Sequence, residues 1–135
     1  MSKPIPPIQK YMTTQPHTIG HEQTIEHAKK MMHDLRIRHL PVLKGGQLVG
    51  LLSDRDINLV LSFEAPEAAQ MQVIEACTDK PYTTTPNTPI NEVVSHMAEK
   101  RIGSAVITDN GKVVGIFTEV DAMRALAELL ETRLK

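Results

Sequence analysis

The stretch Val49-Gly-Leu-Leu-Ser-Asp-Arg-Asp56 runs an apolar segment with a glycine into Ser-x-x-Asp, and Val114-Gly-Ile-Phe-Thr-Glu-Val-Asp121 repeats it with Thr for Ser. An apolar run that stops at a hydroxyl residue, with an acid three positions later, reads as a buried strand entering a helix. Either corner alone is a common helix start, in which Ser53 or Thr118 satisfies orphan amides of the first turn. Finding it twice directs attention to the register between the copies.

Set against itself at an offset of 65 residues, the chain matches without a gap from Thr13/Thr78 to Leu61/Leu126. Pro16 meets Pro81, Ile25 meets Ile90, Met32 meets Met97, Arg36-Ile37 meets Arg101-Ile102, Gly46 meets Gly111 and Asp56 meets Asp121. An internal repeat of this kind fixes the architecture before any single element is assigned.

Within each copy the periodicities agree. Ile25, Ala28, Met32 and Leu35 have the three-and-four spacing of one helix face, as do Ile90, Val93, Val94 and Met97, with Pro89 suited to a first turn. Two strands follow, HLPVLK and QLVGLLS in copy one, SAVITD and KVVGIFT in copy two. Gly45-Gly46 and Asn110-Gly111 between them are two-residue hairpin signals. A closing helix is expected from Asp54 to about Ser62, and another from Glu119 to about Arg133 with Ala122, Leu126, Leu129 and Leu130 on one face.

Each copy therefore reads strand, helix, strand, strand, helix, preceded by a short helix bearing Ile8 and Met12 or Val73 and Cys77. The expected class is α/β (α+β), divided as residues 1–65, the first repeat with its N-terminal helix, and 66–135, a linker helix and the second repeat. A unit of roughly 60 residues buries its sheet poorly alone, so the two are expected to pack face to face.

The chain of 135 residues is 41% hydrophobic and 23% charged, with a net charge of -1, the balance of an ordinary globular protein. It carries no Lys/Arg-rich run to track a phosphate backbone, which argues against nucleic acid. No apolar run approaches the length of a membrane span, and MSKPIPPIQK lacks the apolar core of a signal peptide. A cytoplasmic protein that does not engage membranes is expected.

Six histidines fall at spacings that assemble no tetrahedral metal set, so no metal is expected. The single cysteine, Cys77, matches the apolar Met12 and reads as core. KGGQ lacks the Lys-Ser/Thr ending of a phosphate loop and reads as a turn. No nucleophile, base and orienting group come together in the pattern, so an enzyme is not expected and no catalytic residue is assigned.

IRHLPVLKGGQLVGLLSDRDI and IGSAVITDNGKVVGIFTEVDA resemble the second halves of two cystathionine beta-synthase (CBS) domains in tandem, a stand-alone Bateman module of bacterial type. The resemblance implies two repeats about a pseudo-twofold axis, with clefts that hold adenosine nucleotides as regulatory ligands rather than a required cofactor. At the first site it implies Asp56 on the ribose and Ser53 on the phosphate, with Arg38, joined by Arg55, supplying positive charge. The adenine pocket there would come from Tyr82 and Ile102. At the second site it implies Asp121 and Thr118, with His17 and Ile37 as pocket residues, but Gly103 stands where copy one has Arg38. The chemistry is sound without the family, since a carboxylate accepts two hydroxyls and a helix start favours an anion.

The function so implied is ligand sensing passed to an effector protein by a homodimer, the ligand being AMP, ADP, ATP, S-adenosylmethionine or a dinucleotide. A dimerisation module with empty clefts and a slow nucleotide-hydrolysing enzyme are the alternatives.

Overall fold

The hairpin dipeptides act as their chemistry requires in the computed structural model, which describes residues 4–133. Gly45 and Gly46 have φ of 57° and 80°, Asn110 and Gly111 53° and 80°, the paired left-handed conformation of a turn that matches strand twist. They join β3 (His39–Lys44) to β4 (Gln47–Ser53) and β6 (Ser104–Asp109) to β7 (Lys112–Thr118), each pair antiparallel. Each ladder slips by one residue at the same place, between Val42 and Leu43 and between Ile107 and Thr108.

Before each hairpin lies a helix, α1 (Ile25–Leu35) or α3 (Ile90–Lys100), and after each another, α2 (Asp54–Leu61) or α4 (Glu119–Arg133). Neither α1 nor α3 has a glycine stop; Arg36 and Arg101 take the left-handed conformation instead, at φ of 55° and 56°. Three two-residue strands complete the sheets: β1 (Thr13–Thr14), β2 (Ile19–Gly20) and β5 (Thr83–Thr84). The short helices expected before each repeat are single 3₁₀ turns, Ile8–Lys10 and Val73–Glu75, and a third, Ala68–Gln70, lies in the linker. The mixed α/β class read from the sequence is the observed one.

The chain folds as two compact units. One, Pro16–Pro81, holds the sheet β2-β3-β4 with α1 and α2 around a core of Ile25, Leu40, Val42, Leu52 and Val73. The other joins the residues up to Gln15 to those from Tyr82 onward, with the sheet β1-β7-β6-β5 and a core of Ile8, Val93, Ile107 and Phe117. The division at 65/66 follows the repeat register, whereas packing places each short helix in the unit of the other repeat. Backbone hydrogen bonds hold them there: Ile8 N–H to Thr88 O at 2.7 Å in one unit, Val73 N–H to Gln23 O at 2.8 Å in the other.

Two faces differ from the periodic reading. Leu35, the last residue of α1, is 40% exposed, and Ile37 beyond the left-handed Arg36 packs on the core in its stead. On α4, Ala125 and Asp121 are buried and Ala122 packs on the core, while Leu126 and Leu130 are exposed at 58% and 49%. The cause is a second apolar stripe, Val120, Met123, Leu126 and Leu130, on the side of α4 turned away from the inward face.

Candidate functional site

The two corners use the same residues differently. Where β4 enters α2, Ser53 and Asp56 form a reciprocal capping box: Asp56 N–H donates to Ser53 Oγ at 3.1 Å, and Ser53 N–H donates to Asp56 Oδ2 at 2.9 Å. Asp56 is half-buried, and among the described residues no protein group donates to its Oδ1. Arg38 ties in through its carbonyl, which accepts from Asp54 N–H at 2.9 Å; its side chain and that of Arg55 are both exposed. This corner has a carboxylate with acceptor capacity left and two guanidinium groups in its sequence neighbourhood.

Where β7 enters α4, Asp121 is buried at 6% exposure. Its Oδ2 accepts from Thr118 N–H at 3.0 Å and from Thr118 Oγ1 at 3.3 Å. Thr13 Oγ1, from β1, donates to both oxygens at 3.3 and 3.4 Å, and Arg124 stands 3.9 Å from Oδ1. Thr118 thus gives its hydroxyl to the carboxylate, whereas Ser53 accepts with its own. Glu119 lies over Gly103, close enough that a Cβ there would come within 3.0 Å of Oε1. Glu119, Arg101 and Ile102 help line a cavity of about 380 Å³ between α3 and α4.

The remaining expected residues divide by unit. His17, exposed, and Ile37, half-buried, lie in the unit of Asp56; Tyr82 and Ile102 lie in that of Asp121. The Tyr82 ring stacks on His96 with centroids 4.0 Å apart and planes at 27°, and its phenol is held above its ordinary value chiefly by burial. Cys77, in the unit of Asp56, is half-buried, and its thiol is pushed up by burial and by the charges of Asp56 and Asp79. Thr13 escaped the motif reading, although it opens the self-match with Thr78.

Among the described residues no cluster of three or more His, Cys, Asp or Glu is placed to hold a metal, and no helix is long and apolar enough to cross a membrane.

A CBS domain family model matches residues 8–62 and again residues 73–128. The chain belongs to the CBS domain family. As a tandem CBS pair it is 31% identical to the CBS domain-containing protein YhcV of Bacillus subtilis over 81% of this chain and 77% of that one. It spans 27% and 43% of two further curated relatives. Among solved structures, an uncharacterized conserved protein from Pyrococcus horikoshii superposes with a TM-score of 0.82 at 31% identity, over 93% of this chain and 95% of that one. The CBS domain pair of protein MJ0100, in complex with 5'-methylthioadenosine and S-adenosyl-L-methionine, superposes with a TM-score of 0.81 at 26% identity, over 93% and 98%. CBS pair modules are in general regulatory and non-catalytic, and some bind adenosine ligands.

Proposed function

We propose that this CBS pair is a regulatory, non-catalytic module that takes an adenosine-type ligand, AMP, ADP, ATP or S-adenosylmethionine, at the Asp56 corner. It passes occupancy to an effector protein, acting as a cytoplasmic homodimer. The observation that carries the reading is Oδ1 of Asp56, to which no group of the described residues donates, beside the start of α2. One carboxylate oxygen holds the cap, and the other is left to accept from ribose. Ser53 and the amides of α2 then face the phosphate, with Arg38 and Arg55 as its cationic partners. The second corner, with Thr118 and Asp121, is assigned a weaker affinity for phosphorylated ligands, because Gly103 and Val120 stand where the first copy has Arg38 and Arg55.

The exposed stripe on α4 favours one other reading, a dimerisation module that binds no ligand. Thermal melting against a panel of adenosine ligands separates the two. A ligand at a hundred times its dissociation constant adds about 2.7 kcal/mol, which raises the melting temperature of a domain this size by several degrees. A panel without any shift returns the chain to the dimerisation reading, and steady-state phosphate release from ATP identifies a hydrolase.

A further inference from the structure

Thr13 and Thr78 occupy equivalent places 65 residues apart. Thr13 pairs antiparallel with Ile116 on β7, and Thr78 pairs antiparallel with Leu51 on β4, with backbone bonds of 2.9 Å in both directions. Each threonine therefore lies on the strand that ends in its own corner. Only Thr13 has its hydroxyl on the carboxylate, shared between Oδ1 and Oδ2 of Asp121. With Thr118 on Oδ2 as well, Asp121 has both oxygens engaged and is nearly sealed from solvent, whereas among the described residues no group donates to Oδ1 of Asp56.

A ribose diol needs acceptor positions on the carboxylate, so at the second corner it competes with the hydroxyl already there. We propose that Thr13 is a latch: it closes the Asp121 corner to adenosine ligands, leaving the module with one ready site and one that opens only when Thr13 yields. The inference rests on the adenosine reading of the Asp56 corner. It also gives the second corner a mechanical output, because Thr13 continues a segment held in the same unit by Ile90 N–H to Pro6 O at 2.9 Å and by the fully buried Ile8. A ligand that displaced Thr13 would pull on that segment.

Calorimetric titration with adenosine tests the latch, since an uncharged ligand does not report the charge difference between the corners. Wild type should bind one adenosine per chain. Thr13→Val, which keeps the bulk and loses the hydroxyl, and Thr13→Ala, which loses both, should gain a second site about tenfold or more tighter than any second wild-type site, the scale of a hydrogen bond to a charged group. Thr13→Ser should behave as wild type. One site in wild type and in folded Thr13→Val and Thr13→Ala alike removes the latch and leaves the ligand reading standing; no binding by wild type removes the reading itself, and the latch with it. A measurement without variants gives the same decision: on adding adenosine, the Asp56 carboxyl carbon resonance should shift while that of Asp121 stays. If both move at the same concentration, Thr13 is no latch.

Discussion

Cys77 lies so close over Gly50 that a Cβ on the glycine would come within 2.5 Å of Sγ and 2.8 Å of the Thr78 carbonyl oxygen. In the other unit Met12 lies over Gly115 in the same way, with its side-chain atoms as the nearest neighbours. The glycine inside each repeated motif is therefore the place where the segment after a short helix crosses a strand. That need is steric, since neither glycine has a positive φ.

Gly50→Ala should lose about 1–3 kcal/mol of stability in urea unfolding, the usual scale of overpacking. Gly115→Ala should lose less, because the flexible Met12 side chain can move aside and a backbone carbonyl cannot. Adding Cys77→Ala to Gly50→Ala should recover only part of the loss, as Thr78 O stays in place. Equal losses for the two glycines would place the conflict elsewhere.

Asp56→Asn keeps an oxygen to accept from Ser53 N–H but loses the charged acceptor. Nucleotide affinity should fall roughly ten- to a hundredfold, with stability changed by less than about 1 kcal/mol. Ser53→Ala, which removes the acceptor for Asp56 N–H, should cost about 1 kcal/mol of stability. Unaltered affinity with a lowered melting temperature for Asp56→Asn would make the residue a cap alone.

Arg38→Ala should weaken AMP or ATP binding by about 1.5 to 3 kcal/mol and leave adenosine nearly unaffected, since a guanidinium pairs with phosphate by charge-assisted hydrogen bonds. Raising the salt concentration should narrow the difference between AMP and adenosine in the parent. Calorimetry that finds the same loss for both ligands would take Arg38 off the phosphate.

The outward stripe on α4 predicts a homodimer at micromolar concentration, which Leu126→Lys with Leu130→Lys should convert to monomer without loss of fold. Both side chains are about half exposed or more, so lysine there costs the single chain little. Light scattering reads the mass, and a monomeric parent would leave the stripe to another partner.

The repeated stretch contains nearly all that decides local structure. Gly45-Gly46 and Asn110-Gly111 demand a left-handed turn whatever surrounds them, and Ser53-x-x-Asp56 caps its helix with groups three residues apart. Such interactions close within a few residues, so the strands, hairpins, helices and the first corner's cap are legible without a fold. Leu35 lies outside the core because periodicity marks apolar stripes but not which neighbour covers them.

What the sequence determined by itself is the pair of repeats, their element order, the family and the residues at each corner. The tertiary structure alone decided that Ile8 completes the core of the second repeat and Val73 that of the first, since the two short helices present similar apolar side chains and the two sheets similar edges. It also decided that two nearly identical motifs carry differently engaged carboxylates. Thr13 and Asp121 are 108 residues apart, and Thr78 has the equivalent pairing to its own strand, at Leu51, without its hydroxyl on Asp56. Contacts of that range depend on how whole segments pack, and a motif a few residues long holds no record of them.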